Sequence, residues 1–287
     1  MSDVVYLNGK LVARSRAVIP ALDYGFLYGY GLFETLRAYN GRVFRLDEHI
    51  TRLEDSAAVL GLPADRKALK SAVVNTLGAN GLKDARIRIT LSAGEGAINA
   101  DIKTCRKPTL LVVAEHYEPY QEQVYRRGFK AIISSVRRDS QSPLARMKTA
   151  NYMPSILARR EAGAAGADEA ICLNDKGLVA EAGASNIFLV ADNILRTPGL
   201  DSGILPGITR QAVLELASRL GIKSLECNIK PEELYKAQEV FLTNSLIEIM
   251  PLTVIDDKKI GSGGVGRLTG RLMTAYRETV VCNGDKA

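Results

Sequence analysis

The sequence predicts a mixed α+β fold organised in two domains. Its 287 residues exceed the usual length of a single domain. Short strand-like runs, separated by turn residues, alternate with a few helix-like segments, and this pattern does not suit a doubly wound parallel sheet. The polar stretch 118–127 (EPYQEQVYRR) has no apolar period. We therefore expect it to link a small domain at 1–117 to a larger one at 128–287.

Two hairpins are predicted in the first domain. Asn-Gly pairs at 8–9 and 40–41 lie between apolar and β-branched runs, and both residue types tolerate the positive φ of a tight hairpin turn. A helix is expected to follow with Asp47 as its cap, because apolar residues then recur at helical spacing. A second helix over about 65–77 and two further strands, ARIRITLSA and TLLVVAEHY, complete the domain.

The second domain is predicted to contain more strands than the first. Its strand-like runs are FKAIISSVRR, EAICLN, LVAEAG, SNIFLVA and EVFLTNS. Residues 175–177 (DKG) mark a turn between two of these strands. Helices are expected over about 151–165, within GITRQAVLELASRLG and from near Gly266 onward.

Composition argues against several classes of protein. The 38 basic residues are interleaved with 32 acidic ones, so the net charge of +6 forms no basic stripe, and a nucleic-acid-binding protein is kept only as the non-enzyme alternative. The four cysteines form no CxxC pair and there are two histidines, so neither a metal site nor a disulfide framework is expected. No apolar run is long enough for a membrane span or a signal peptide, and we expect a cytoplasmic protein.

The glycine-rich run GSGGVG at 261–266 fits the G-x-G-x-x-G fingerprint of dinucleotide sites. That fingerprint requires a complete βαβ unit around it. The chain ends 21 residues after Gly266, which leaves no room for the remaining elements. We therefore expect a lead-in to the last helix and no dinucleotide site.

Four features point to cofactor chemistry when they are taken together. Lys148, in RMKTANY, is an amine that an adjacent apolar wall could desolvate for covalent catalysis. Glu181 ends an apolar strand, where a carboxylate is costly unless a cation pairs with it. GILPGITR begins a helix whose N–H groups at Ile208 and Thr209 suit a phosphate. Arg52, in EHITRL, adds a guanidinium that can bind phosphate through two hydrogen bonds.

Each feature alone also has an ordinary structural explanation. A solvated arginine, an edge glutamate facing solvent, a plain helix start and a surface lysine are all compatible with these motifs. The combination nevertheless matches the needs of pyridoxal 5′-phosphate. The aldehyde of that cofactor requires a lysine, its ring nitrogen a carboxylate, and its phosphate backbone amides and a guanidinium.

Six stretches, in order over nearly the whole chain, resemble one known family. They are DYGFLYGYGLFETLRAYNG, EHITRL, MKTANYMPSILARREA, DEAICLNDKGLVAEAGASNIFLV, GILPGITR and EVFLTNSLIEIMP. They are similar to the class IV, or fold-type IV, pyridoxal-phosphate-dependent aminotransferases. This family includes branched-chain aminotransferases, D-amino-acid aminotransferases and 4-amino-4-deoxychorismate lyases. The resemblance implies a small N-terminal α/β domain, a larger C-terminal pseudo-barrel domain and a homodimer.

The resemblance also implies roles for individual residues. Lys148 corresponds to the Schiff-base lysine, Glu181 to the partner of the pyridinium nitrogen, and Arg52 to the phosphate-binding arginine. Tyr152 resembles the tyrosine near the cofactor's phenolic oxygen in branched-chain enzymes, although its spacing of four residues from Lys148 is one shorter than theirs. The remaining phosphate-binding positions are Ile208, Thr209 and Ser245.

Substrate preference stays open between three members of the family. The loop EGAINADIK lacks the Arg-x-His pair of D-amino-acid aminotransferases. Arg88 keeps the arginine of the branched-chain Tyr-x-Arg motif, but Arg86 replaces its tyrosine. Thr35 and TNSLIEIMP are closer to the lyase, which expels pyruvate and forms 4-aminobenzoate. We favour transfer of an amino group from an apolar or branched-chain amino acid to the keto acid 2-oxoglutarate. The expected substrate-pocket residues are Tyr28, Phe33, Thr35, Arg88 and Leu246.

Overall fold

A computed structural model describes residues 3–282 and divides the chain into two compact units. The first comprises Met1–Glu118, Met147–Asn151 and Val280–Ala287, and the second comprises Pro119–Arg146 and Tyr152–Thr279. Helices and strands are interspersed in both, as the mixed α+β prediction requires. Within the described residues, no helix combines the length and the apolar character needed to cross a membrane.

The first unit is built on an antiparallel sheet of six strands in the order β2-β1-β6-β5-β3-β4. The strands and helices are β1 Val4–Leu7, β2 Lys10–Ala13, α1 Tyr24–Tyr28, β3 Gly31–Tyr39, β4 Arg42–Val43, α2 Leu46–Leu60, α3 Arg66–Ala79, β5 Ala85–Ser92 and β6 Thr109–His116. Both Asn-Gly hairpins are confirmed. Asn8 and Gly9 have φ of 47° and 91°, and Asn40 and Gly41 have φ of 48° and 84°.

Helix α2 begins differently from the prediction. Arg45, with φ of 51°, precedes its first residue, so Asp47 lies in the first turn and is not the cap. Asp47 instead forms an ion pair with Lys70 of α3. The apolar period is nevertheless confirmed, because Ile50 and Leu53 are buried in the core of this unit.

A short segment from the middle of the chain adds to the first unit. Residues 147–151 pair with the start of β3. The Phe33 N–H donates to the Lys148 carbonyl and the Ala150 N–H to the Gly31 carbonyl, both at 2.8 Å. The boundary predicted from the sequence places this segment in the second domain, but its backbone pairing groups it with the first unit.

The second unit contains a mixed sheet of nine strands in the order β12-β11-β10-β13-β14-β7-β8-β9, with β15 beside β14. Its elements are α4 Glu122–Arg127, β7 Phe129–Arg138, α5 Met153–Ala164, β8 Glu169–Asn174, β9 Val179–Ala182, β10 Asn186–Ala191, β11 Ile194–Pro198, α6 Ile208–Arg219, β12 Ser224–Cys227, α7 Pro231–Lys236, β13 Glu239–Asn244, β14 Glu248–Ile255, β15 Lys258–Lys259 and most of α8 Arg267–Cys282. Strand β9, at one end of the path, also lies against β10 and β11. The sheet therefore curls back on itself, as a pseudo-barrel requires.

Part of the stretch predicted as a linker forms a helix that contributes a side chain to the core. Residues 122–127 form α4, and its Tyr125 is only 3% exposed. The Tyr125 hydroxyl donates to the Ile247 carbonyl at 3.3 Å. No apolar period is visible in this stretch because a helix of six residues buries a single side chain.

The glycine-rich run leads into α8, as predicted. Glu239 accepts hydrogen bonds from the Leu268 and Thr269 N–H groups at 3.0 and 2.7 Å, and so caps the first turn of the helix. A Cβ on Gly266 would lie 1.9 Å from the Glu239 Cδ. The glycine therefore makes room for a capping carboxylate.

Candidate functional site

The lysine cluster, which we define as Lys148, Phe33 and Arg88, lies in the first unit. The Lys148 Nζ is 4.4 Å from the centroid of the Phe33 ring, and the Arg88 Cζ is 3.9 Å from the same centroid. Both cations are therefore in cation–π contact with one buried ring. Thr35 pairs with Arg88 across β3 and β5 and shares the Phe33 side of its strand. Four predicted residues are thus brought together.

Tyr28 is held near the lysine-bearing segment by its surroundings in α1. Its ring meets Tyr24 edge to face, with centroids 4.8 Å apart. The Asn151 Nδ2 donates to the Gly29 carbonyl at 3.0 Å, which ties the segment carrying Lys148 to the end of α1. Tyr28 itself is 39% exposed, so its ring is accessible to a small molecule.

Arg52 is bound by a buried carboxylate that the sequence reasoning missed. Its Nε and Nη2 donate to Oε1 and Oε2 of Glu34 at 2.8 and 2.7 Å. His49 Nδ1 also lies 2.7 Å from the Glu34 Oε2. The signal was present, because a glutamate inside the apolar strand GLFETLRAY needs a cation.

The charges of this group follow from its burial. Burial alone would raise the pKa of Glu34, but the Arg52 charge and the His49 hydrogen bond outweigh it and lower that pKa to about 2. Burial lowers the pKa of His49, although its contact with Glu34 opposes the shift. At neutral pH we therefore expect an ionised Glu34–Arg52 pair and a neutral imidazole that donates from Nδ1.

The glutamate cluster, which we define as Glu181, Arg138 and Asn186, lies in the second unit. Glu181 is only 7% exposed, which eliminates the solvent-facing alternative. Its Oε2 accepts from the Leu205 N–H at 2.9 Å and from the Asn186 Nδ2 at 3.2 Å. The Arg138 Nη1 lies 3.0 Å from Oε1. Arg138 is thus the cation that the buried carboxylate requires, and the sequence analysis did not identify it.

The N–H groups at the start of α6 are not capped by a side chain. Gly207 is the N-cap residue, no side chain accepts a hydrogen bond at this end, and the first turn contains no acidic residue. A Cβ on Gly207 would lie 1.9 Å from the Asn186 Oδ1, so glycine is required for the close approach of the glutamate cluster. The Ile208 and Thr209 amides are among the four that a helix cannot satisfy internally. This end can accept an anion.

Tyr152 and the Ser245 loop belong to the same unit as the glutamate cluster. The Tyr152 hydroxyl donates to the Gly183 carbonyl at 3.3 Å. Burial, together with the charges of Glu181 and Glu169, raises the pKa of Tyr152. Ser245 and Leu246 follow β13, where the Asn244 Oδ1 accepts from the Leu246 N–H at 2.8 Å. Asn244 was not singled out from the sequence, yet it organises this loop.

These donor groups fit pyridoxal 5′-phosphate. An amine, a buried carboxylate, an uncapped helix start and a fixed guanidinium are the groups that its aldehyde, ring nitrogen and phosphate require. Among residues 3–282, no cluster of three or more histidine, cysteine or acidic side chains could hold a metal ion.

Comparisons with known proteins agree with this chemistry. The family model described as Amino-transferase class IV matches residues 31–255. The chain is 40% identical over 279 residues to a Methanocaldococcus jannaschii protein named "Putative branched-chain-amino-acid aminotransferase", covering 96% of this chain and 95% of that one. It is 34% identical over 281 residues to the aminodeoxychorismate lyase of Bacillus subtilis, with coverage of 96% and 94%.

A solved structure of high similarity is the branched-chain amino acid aminotransferase of T.th. with pyridoxamine 5′-phosphate. The TM-score is 0.93 at 33% identity, and the match covers 98% of this chain and 94% of that one. The likeness therefore extends over both units, and a B6 phosphate is bound in that structure.

Proposed function

Because the chain belongs to the class IV aminotransferases, we propose that it is a pyridoxal-phosphate-dependent transaminase that moves an amino group from an apolar or branched-chain amino acid to 2-oxoglutarate. The observation that carries this proposal is the burial of Glu181 among the polar contacts described above. A carboxylate that accepts two N–H groups and pairs with a guanidinium is suited to hold a protonated pyridine nitrogen.

The described side chains have distinct tasks in this proposal. Lys148 would bind the cofactor aldehyde through Nζ, and Glu181 would pair with the ring nitrogen. Arg52, the Ile208 and Thr209 amides and the Ser245 hydroxyl would hold the phosphate. Tyr152 would lie near the phenolic oxygen. When bound, the cofactor supplies an electron sink for the pair left when the substrate Cα loses its proton.

We assign the proton transfer to Lys148. With the cofactor and substrate bound, the Lys148 Nζ would accept the proton released from the substrate Cα and would later donate it to the cofactor carbon on the other side of the shared nitrogen. The Phe33 ring, 4.4 Å from this nitrogen, limits the access of water to it. A mobile lysine in bulk water would perform the same transfer less efficiently because its ammonium form would dominate.

The substrate groups are assigned to the lysine cluster and its neighbours. The Arg88 guanidinium is suited to a substrate carboxylate, since a guanidinium binds carboxylates in a bidentate manner. Tyr28, Phe33 and Leu246 offer apolar surface for a branched side chain, and Thr35 adds a hydroxyl. The similarity to proteins named branched-chain aminotransferases supports the same substrate class.

A second candidate function is 4-amino-4-deoxychorismate lyase. The 34% identity to the Bacillus subtilis lyase favours it, as do Thr35 and the TNSLIE sequence at the end of β13. This reaction needs the same lysine and carboxylate but releases pyruvate. A D-amino-acid aminotransferase is the third candidate, and the absence of an Arg-x-His pair in residues 95–103 weighs against it.

The decisive experiment mixes the purified holoenzyme separately with L-leucine, D-alanine and aminodeoxychorismate. Conversion of the cofactor's visible spectrum to that of pyridoxamine phosphate by L-leucine, restored by 2-oxoglutarate, is the expected result. Pyruvate release from aminodeoxychorismate would instead establish the lyase. Conversion by D-alanine alone would establish the third candidate.

The lysine assignment has its own control. Lys148→Ala is expected to abolish the visible absorbance of the bound cofactor, whereas Lys176→Ala, in an exposed turn, leaves it intact. An unchanged band in Lys148→Ala would show that another amine binds the aldehyde. Borohydride reduction followed by peptide mass analysis locates that amine directly.

The assembly and compartment are also part of the proposal. The family resemblance supports a homodimer, which sedimentation equilibrium tests. Cys105, Cys172 and Cys227 are free thiols, which suits a protein that works in the reducing cytoplasm.

A further inference from the structure

We propose that Glu34 and His49 are positioning residues for the cofactor phosphate: they hold the Arg52 guanidinium in the one orientation that can receive it. This inference rests on the proposed function and deepens it. Nothing in the sequence motifs assigns a role to either residue. Both lie within the first unit, and the contacts that support the inference all belong to that unit.

The geometry fixes Arg52 at two points. Glu34 lies on β3 and Arg52 on α2, and both carboxylate oxygens are engaged by the Nε and Nη2 of the arginine at 2.8 and 2.7 Å. The carboxylate side chain is 1% exposed and the arginine side chain 10%. A bidentate pair of this kind restrains the orientation of the guanidinium.

His49 completes the arrangement from the same helix. It precedes Arg52 by three residues, so both side chains leave α2 on one face. Its Nδ1 contacts the Glu34 Oε2, the same oxygen that receives the Arg52 Nη2. The carboxylate is therefore held from both ends of one helical turn and cannot rotate without breaking contacts to both residues.

Holding the arginine has a direct benefit for anion binding. A solvated arginine loses rotamer freedom when it binds a phosphate, and that loss weakens the complex. Because Glu34 takes the Nε edge, a phosphate would approach the other side of the guanidinium. The loss of rotamer entropy would then occur when the protein folds, before any phosphate binds.

Fold stability alone is a poor explanation for this group. Removing two charges from water is costly, and a buried ion pair is often no more stable than apolar residues of the same volume. The pair is also separated in sequence by a helix start and a hairpin, so it has no local capping role. A buried guanidinium held by a carboxylate on one edge is instead the arrangement that a phosphate site needs.

The test compares pyridoxal 5′-phosphate with pyridoxal, which has the same aldehyde but no phosphate. Equilibrium dissociation constants of both are measured on the apoprotein by absorbance or fluorescence titration. Their ratio reports the phosphate contribution and cancels general damage to the fold. We expect Glu34→Gln to lower the preference for the phosphorylated form about tenfold or more, the loss of one charge-assisted contact.

The matched control is Glu54→Gln. Glu54 lies on the same helix as Arg52 and pairs with Arg66, so its substitution removes an equal charge without touching the Arg52 pair. It is expected to leave the ratio unchanged. An equal fall in both variants would show that net charge alone sets the ratio, and would overturn the proposal.

A double-mutant cycle separates positioning from a direct contact. In an Arg52→Gln background, Glu34→Gln is expected to change the ratio no further, because it acts only through the arginine. An additive loss would overturn the proposal. If Glu34→Gln fails to fold, His49→Leu gives the same test, with a fall in the ratio of a few fold expected and an unchanged ratio contradicting the inference.

The outcome also separates this inference from the function on which it rests. If wild-type apoprotein binds neither ligand, the proposed cofactor chemistry is wrong. If wild type prefers the phosphorylated ligand and Glu34→Gln preserves that preference, the proposed cofactor chemistry is supported and the positioning role is wrong.

Discussion

Arg138 and Glu181 form an ion pair with the Arg138 Nη1 3.0 Å from the Glu181 Oε1. The arginine is also tied to backbone, because its Nε donates to the Gly203 carbonyl at 3.0 Å and its Nη2 to the Ala145 carbonyl at 3.3 Å. One side chain therefore connects the carboxylate assigned to the cofactor ring with two separate loops of the second unit. Loss of this side chain would affect both charge and loop geometry.

Arg138→Met is expected to lower the free energy of unfolding by about 3 kcal/mol, because it leaves the buried Glu181 without its cation. Urea denaturation of the apoprotein measures this. The neighbouring Arg137 is exposed, and Arg137→Met serves as the control with the same change of net charge. Equal stability of the two variants would argue that the ion pair contributes nothing to the fold.

Gly207→Ala is expected to destabilise the second unit by about 2 kcal/mol and to weaken cofactor binding, because the new Cβ would displace Asn186 from the glutamate cluster. Gly199→Ala is the control: Gly199 lies in the same connection between β11 and α6, and a Cβ there would meet no atom within 4 Å. Thermal unfolding and cofactor titration of both variants test the difference. Indistinguishable variants would show that Asn186 can move aside freely.

Gly266→Ala is expected to cost about 2 kcal/mol of stability, since its Cβ would push the Glu239 carboxylate away from the start of α8. A Cβ added at Gly264, in the same glycine-rich run, would have its nearest neighbour, the Ser262 Oγ, at 4.0 Å. Gly264→Ala should therefore be almost neutral. Neither substitution should create or remove affinity for NAD, and isothermal titration with NAD checks this.

Acid should destabilise the first unit through Glu34. The pKa of this carboxyl, 4.5 in its ordinary state, is lowered to about 2 in the fold. A lowered folded-state pKa means that the ionised group stabilises the fold above about pH 4.5, and that this contribution is lost as the pH falls toward 2. The shift corresponds to about 3 kcal/mol.

The measurement for this prediction is urea unfolding of wild type and Glu34→Gln from pH 6 to pH 2. The difference in unfolding free energy between them should shrink as the pH falls, because protonation makes the wild-type side chain as neutral as glutamine. The facing groups Arg52, His49 and Lys148 are common to both proteins and cancel. A difference that stays constant over this range would contradict the assigned pKa.

Much of the fold was predictable because its signals are local. The Asn-Gly pairs determine two hairpins through their own φ angles, and the strand FKAIISSVRR coincides with Phe129–Arg138. The start of α2 could not be predicted in the same way, since no propensity rule places Arg45 at φ of 51°. Such a residue adopts this conformation because the surrounding fold requires it.

The sequence motifs indicated the residues that we propose as reacting groups, but they did not indicate the ion-pair partners of those residues. Lys148, Glu181 and the α6 start carry motifs, whereas Arg138 and Glu34 became visible only when the fold brought them to their partners. A single sequence contains no signal for such pairs beyond the expectation that a buried charge has a counter-ion. The cation for Glu181 was therefore expected, and its identity was not.

The pairing of residues 147–151 with β3 has a consequence for synthesis. A ribosome that has released only residues 1–118 has exposed six strands of the first sheet but not the segment that contacts Gly31 and Phe33. That unit can be completed only after translation of the other has begun. Cutting the gene after Glu118 would thus give an N-terminal fragment that lacks residues 147–151, and a split reporter built on this chain should be divided beyond Asn151.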